Sequence, residues 1–295
     1  FLPSMPQTEL RDALVEFYRR LACRLPADVE RALRNAMTLE PKAGPAHSVL
    51  EVILSNVELC RKESRPLCQD TGLPVFYVTL SGGLTRSGFR SVLHEATTRA
   101  VLEVPLRPNA VDSLTGLNTG NGVGPGIPVV HFEDHEGDRL TVAGMLKGGG
   151  CENVGAQYSL PDTRLGAGRD LEGVRKVVLD AVHRAQGKGC APGVLGVAIG
   201  GDRGSSFLGS KQTLLRPLDD RNSDPRLAEL ETKLHEQANQ LGIGPMGFGG
   251  QTTVLGVKTK GMHRLPASFF VSVSYMCWAH RRRRMIVHGD QIEYI

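Results

Sequence analysis

The sequence predicts a mixed α+β fold in which helices pack around a small mixed β-sheet, in a single large domain over residues 1–295. Three observations carry that expectation. The first sixty residues hold apolar stripes at helical spacing, and the remainder alternates short β-rich runs with further helical stripes across glycine-rich junctions. No internal repeat or long linker divides the 295 residues. With 40% apolar and 22% charged residues the chain can bury a substantial core, which excludes intrinsic disorder as its main state.

In order, Leu10, Ala13, Leu14, Phe17 and Leu21 form a first stripe; Val29, Ala32, Leu33, Ala36 and Met37 a second; Ile53, Val57 and Cys60 a third, with Cys60 facing a core. After the polar turn Leu67-Cys68-Gln69-Asp70-Thr71-Gly72, residues 74–80 read as a strand and residues 89–104 as a helix. Beyond a Gly/Asn/Pro-rich loop at 116–128, strands at 129–133 and 139–146 read as a hairpin around Glu136-Gly137-Asp138. Val174, Val177, Val178, Ala181, Val182 and Ala185 mark another helix face, residues 193–200 a buried strand, and Leu227 to Leu241 a helix stopped by Gly242. Two further strands fit 252–258 and 268–275, with Cys277 just past the second.

Net charge is only +4, concentrated at Arg281 to Arg284, which reads as a solvated face or partner contact; nucleic-acid binding is not expected. No apolar run reaches the roughly 20 residues of a membrane span, and the opening Phe-Leu-Pro-Ser-Met has no basic start or long apolar stretch, so no membrane association and a cytoplasmic location are expected, with Met5 a natural beginning. The segment from Leu241 to Gly247 follows a helix and contains proline, which argues against a dinucleotide loop.

Six cysteines, at 23, 60, 68, 151, 190 and 277, are too scattered for a disulfide scaffold, and no CxxC supports a zinc ribbon. Isolated cysteines are usually small buried hydrophobes. Cys68, Cys190 and Cys277, however, each lie at a Gly/Pro/polar junction beside an apolar strand, whereas Cys23 and Cys60 lie in or near helical stripes. Three thiolates from distant loops suit an iron–sulfur cluster whose remaining iron is open to act as a Lewis acid. Cys151, after three glycines, fits a strand-to-helix turn and reads as a packed thiol.

Seven ordered motifs then carry a resemblance. Arg65-Pro66-Leu67-Cys68-Gln69-Asp70-Thr71-Gly72, Leu106-Arg107-Pro108-Asn109-Ala110-Val111, Asn118-Thr119-Gly120, Lys147-Gly148-Gly149-Gly150-Cys151, Gly189-Cys190-Ala191-Pro192, Leu241-Gly242-Ile243-Gly244-Pro245 and Cys277-Trp278-Ala279-His280-Arg281-Arg282 resemble the class I fumarate hydratase and L-tartrate dehydratase α-subunit family, over about residues 45–288. The resemblance implies a [4Fe-4S] hydro-lyase with Cys68, Cys190 and Cys277 as ligands. Its substrate would be a small dicarboxylate, fumarate first and L-tartrate second; a non-catalytic iron–sulfur protein on the same scaffold is the rival. It also implies a C-terminal β domain, expected here as a separate β subunit in an α₂β₂ assembly.

Hydration beside a carboxylate needs an acid and a base, and cations for two carboxylates. Asp70 is assigned as the catalytic proton donor, against a role in capping its own turn. Gln69 orients substrate, Arg107 offers a fork to a carboxylate, and Lys147, Gly148 and Gly149 present an ammonium and backbone N–H groups to an anion. One departure stands out: the family carries Arg-His-Pro where this chain has Arg264-Leu265-Pro266, and His263, if on a strand, points elsewhere by register.

Overall fold

A computed structural model describes residues 5–80, 83–134, 137 and 139–295. Along the chain run α1 (Gln7–Cys23), α2 (Ala27–Leu39), α3 (Pro45–Glu63), β1 (Leu73–Thr79), α4 (Arg86–Glu103), β2 (Val129–Glu133) and β3 (Leu140–Lys147). There follow α5 (Gly149–Asn153), β4 (Ala156–Ser159), α6 (Leu171–Ala185), β5 (Gly193–Ile199), α7 (Arg203–Thr213) and α8 (Pro225–Gln240). The chain finishes with β6 (Val254–Gly261), β7 (Phe270–Met276), β8 (Arg282–His288) and β9 (Gln291–Tyr294). The fold is mixed α+β, as the sequence predicts, but its strands form two mixed sheets rather than one small one. The chain divides into two compact units: Phe1–Pro26, Asn56–Gly148 and Arg281–Ile295 in the first, Ala27–Ser55 and Gly149–His280 in the second.

The first unit holds the sheet β2-β1-β3-β8-β9, with β1 parallel to β2 and antiparallel to β3. Its core sets Leu14, Phe17, Tyr18 and Leu21 of α1 and Phe89, Leu93 and Ala96 of α4 with Phe76, Val78, Val142 and Met285 of the sheet. Gly144 admits the rings, since a Cβ there would meet Phe76 at 2.8 Å and Phe17 at 2.9 Å. The Tyr18 hydroxyl keeps a partner in this core, Thr97 Oγ1 at 2.8 Å.

The hairpin expected from residues 129–146 does not form. β2 and β3 flank β1, which is buried along Pro74–Val78 and takes an interior place in the sheet, as a run apolar on both faces demands. Glu136 and Asp138 of the expected turn lie outside the described residues, as do residues 1–4 of the opening segment.

The second unit holds the sheet β4-β7-β5-β6, with β5 buried throughout, parallel to β6 and antiparallel to β7. α7 lies on β5 through small residues: a Cβ at Gly196 would come within 2.1 Å of the Ser210 carbonyl, and Ser206 and Ser210 hydrogen-bond Ser272 and Ser274 of β7 at 2.8 and 2.7 Å. Helix starts follow their side-chain caps, Asp202 for α7, in a capping box with Ser205, and Asp224 for α8. Gly242 follows α8 at φ 66°, the left-handed conformation that ends a helix. The strands expected at 252–258 and 268–275 start later, at Val254 and Phe270. His263 lies in the loop after β6 instead of on a strand, and Leu265 is 72% exposed beside it.

Candidate functional site

In the first unit the site is the turn that enters β1. Gly72 sits at φ 87°, and a Cβ on it would meet the Leu146 carbonyl carbon at 2.8 Å, so the turn lies flat on the end of β3. Asp70 Oδ1 accepts the Gly72 N–H at 3.1 Å, so the turn-capping role is present in the structure. The other oxygen, Oδ2, faces Gly148, where a Cβ would come within 2.9 Å of it. Thr71, buried, accepts the Arg107 backbone N–H at 3.0 Å and the Asn109 amide at 3.3 Å, and Asn109 also donates to the Gly72 carbonyl at 3.2 Å. These bonds explain why the Leu106-Arg107-Pro108-Asn109 motif belongs with Asp70: the loop is tied to the turn, leaving the Arg107 and Gln69 side chains exposed. Lys147, opposite Leu73 in the β1–β3 pairing, is 1% exposed.

The segment before Cys68 is held as firmly. Leu67 N–H donates to the Ala22 carbonyl at 2.9 Å, Asn56 Nδ2 to the Leu67 carbonyl at 2.9 Å, and the Cys60 thiol to the Pro66 carbonyl at 3.5 Å. Cys23 and Cys60 are buried as expected; burial pushes the Cys23 thiol up to about 11 and the Cys60 thiol upward too, which leaves both poor ligands and nucleophiles. Cys68 itself is partly exposed.

Arg281 is the residue that sequence reasoning placed wrongly. It is 1% exposed, not solvated; Arg282 and Arg283 are half-buried, Arg284 is exposed, and residues 282–284 belong to β8. Its Nη1 donates to the Asp70 carbonyl at 2.8 Å, and its own carbonyl accepts the Leu146 N–H at 3.1 Å.

In the second unit Cys190 and Cys277 are brought to one end of the β5–β7 pair, where the Trp278 N–H donates to the Cys190 carbonyl at 3.2 Å. Cys190 adopts φ 55°, ψ 61°, an uncommon conformation for a residue with a Cβ, and stays partly exposed. Close packing enforces that turn. A Cβ at Gly189 would lie 2.6 Å from the Tyr275 ring, and one at Gly193 2.3 Å from it. Burial first, then the neighbouring thiols of Cys277, Cys151 and Cys190, push the Tyr275 phenol upward. Cys151, in α5, is 2% exposed with its thiol 3.9 Å from Met276 Sδ, the packed position expected of it. Gly149 opens α5 and is exposed, whereas Gly148 is buried.

Soft thiol donors on short turns suit iron bound by thiolate. The Cys190 and Cys277 pair meets that requirement within its unit, and Cys68 is offered on a fixed turn in the other. Among the described residues no three His, Cys, Asp or Glu side chains converge as a ready metal-binding group. No helix among them is long and apolar enough to cross a membrane.

Comparison with known proteins defines the class. Residues 11–286 match the fumarate hydratase (fumerase) family model, and the chain belongs to that family. It is 46% identical over 285 residues to a Geobacillus stearothermophilus protein provisionally named a class I fumarate hydratase, covering 96% of this chain but only 55% of that relative. It is 35% identical to a Methanocaldococcus jannaschii protein provisionally named an L(+)-tartrate dehydratase α subunit, over 93% of this chain and 96% of that one. The L(+)-tartrate dehydratase α subunit of Escherichia coli K12 is 32% identical, over 96% of this chain and 92% of its own length. The chain thus spans about half of the first relative and nearly all of the other two.

Proposed function

We propose that this chain is the cluster-holding part of a [4Fe-4S] hydro-lyase that reversibly hydrates fumarate to L-malate, acting in the cytoplasm. The observation that carries the reading is the 46% identity, across almost the whole chain, to a protein named as a class I fumarate hydratase. Cys68, Cys190 and Cys277 would hold the cluster, which supplies a Lewis-acidic iron for the substrate hydroxyl. The chain's own residues do the rest of its share. Asp70 delivers the proton at the departing hydroxyl from a carboxyl whose turn is fixed on both sides. Gln69 and Arg107, exposed beside it, orient the dicarboxylate, while Lys147, Gly148 and Gly149 meet its charge with an ammonium and backbone N–H groups.

The opposing base and the remaining carboxylate contacts would come from a β subunit in an α₂β₂ complex, a role the length of the Geobacillus relative allows to be covalently attached instead. A second reading, L-tartrate dehydration, is favoured by the end-to-end match to two tartrate dehydratase α subunits. Anaerobic co-purification with a family β subunit, followed by parallel assays on fumarate, malate and tartrate, decides between them. Replacing Cys68, Cys190 or Cys277 by serine should abolish cluster absorbance, while Cys23→Ser and Cys60→Ser should keep it; loss of the cluster in Cys151→Ser would remove the open-iron assignment.

A further inference from the structure

We propose that Arg281 is the positioning residue of the Asp70 turn: a buried guanidinium that locks this turn to the end of β3 and so aims the Asp70 carboxylate at the Gly148 backbone. The proposal rests on the role given to Asp70 above. Arg281 reaches both segments at once, donating from Nη1 to the Asp70 carbonyl at 2.8 Å while its carbonyl takes the Leu146 N–H at 3.1 Å. The two segments already touch, as the 2.8 Å approach of a Gly72 Cβ to Leu146 requires. The guanidinium is 1% exposed, so a lost bond to the Asp70 carbonyl has little water to replace it, which makes this contact a firm anchor for the turn. A Cβ on Gly148 would lie 2.9 Å from Asp70 Oδ2 and 3.7 Å from Arg281 Nη2, so both side chains border this one glycine. Gly148 leaves no room for a side chain to separate them. Arg281 therefore acts through Asp70, fixing the main chain of the turn by a hydrogen bond to its carbonyl.

The test uses the full chain, reconstituted and assembled with its β portion, in the variants Arg281→Ala and Arg281→Lys. Hydrogen exchange over residues 70–74 reads the turn without reference to turnover, because the Gly72 N–H bonds to Asp70 Oδ1. Both variants should exchange faster there, Lys less than Ala, with iron content and second-unit protection retained. kcat should fall roughly 10²-fold in Arg281→Ala, the scale of a misplaced catalytic group, with KM within about twofold, and added guanidinium should restore part of it. Should the alanine variant fail to fold, Arg281→Lys keeps the charge and decides by the same exchange and kcat readings. Unchanged exchange at 70–74 would overturn the proposal. So would a raised KM with kcat preserved, which would make Arg281 a direct carboxylate binder. A wild-type protein inert on every dicarboxylate would defeat the hydro-lyase reading while leaving the exchange result to judge Arg281.

Discussion

The Asp70 turn and the Cys190 turn offer reactive side chains by opposite means. The first is held by polar bonds: Asp70 to Gly72, Thr71 to Arg107 and Asn109, Arg281 to Asp70. The second is held largely by shape, with the Tyr275 ring flush against Gly189 and Gly193 and the Gly187 Cα pressed near the Met246 carbonyl, where a Cβ would come within 2.6 Å. A proton-moving carboxyl needs defined hydrogen-bond geometry, which polar struts set. A soft ligand needs a rigid backbone and no competing polar groups, which close packing provides. The two turns should therefore fail differently.

The largest expected effect comes from adding one methyl group to the packed turn. Gly193→Ala places a carbon 2.3 Å from Tyr275 Cζ and 2.5 Å from its hydroxyl, and the ring is enclosed on a buried strand. Overpacking of this kind costs on the order of 3 kcal/mol, and here the strain falls on the segment beside Cys190. Denaturant unfolding should show that loss, and iron retention should fall with it. A variant of wild-type stability and full iron content would mean that the turn has slack and that shape does not hold it.

The polar turn should answer to loss of an oxygen instead. Thr71→Val keeps volume but strands the Arg107 N–H and removes one of the two bonds made by the Asn109 amide, a cost of roughly 1–3 kcal/mol, and should loosen the Arg107 loop while leaving Cys190 untouched. Exchange at the Arg107 amide measures it; equal protection in both proteins would show that the loop is fixed by something else. Asp70→Asn separates chemistry from capping at the same turn. Asn caps an Asx turn as well as Asp does, so stability and cluster content should stay while kcat drops roughly 10²-fold; an unchanged kcat would leave Asp70 a capping residue only.

How much of this the sequence disclosed follows the same division. The stripes of α1, α6 and α8 and the apolar runs of β1 and β5 were legible because local periodicity encodes burial. α7 was not: its buried positions are Ser206, Gly209, Ser210 and Thr213, a close-packed seam of small residues with no apolar stripe to read. β4 is four residues long, and the order β2-β1-β3 is a long-range pairing that a local hairpin pattern misstates. The places of Cys190 and Cys277, just before β5 and just after β7, were legible from their glycine and strand context. Arg281 was hidden because four consecutive arginines carry the signature of a solvated face, and only the tertiary fold separates the first, buried at 1%, from Arg284 on the outside.

The smallest expected effect concerns acid, and it sharpens the contrast between the units because the responding group belongs to the second. His235 on α8 is pushed downward chiefly by burial, with the Lys258 ammonium adding to the push while a backbone hydrogen bond at Val254 and the Glu236 carboxylate oppose it. Its ring lies 3.3 Å from the Asn239 amide, whose oxygen in turn accepts the Thr253 and Val254 N–H groups that start β6. The folded state thus holds the neutral imidazole more firmly than the unfolded chain does. Above the ordinary histidine pKa near 6.5 both states are neutral and His235 contributes no pH dependence; as pH falls below it, the unfolded chain takes up the proton first and stability declines. Thermal midpoints measured from pH 8 to 5 should therefore drop on the acid side, and His235→Gln, which can still pair with Asn239, should flatten that drop. Exchange during acidification should show α8 and β6 opening before the β1–β3 pair of the first unit. Equal acid slopes for wild type and His235→Gln would assign the loss to other groups, with Asp220 the next to examine: burial raises its pKa, but Arg216 and Lys258 outweigh that and hold the carboxyl below its usual range. Its contribution is present above the ordinary carboxylate pKa and disappears only as pH falls through the lowered folded value, well below the histidine window.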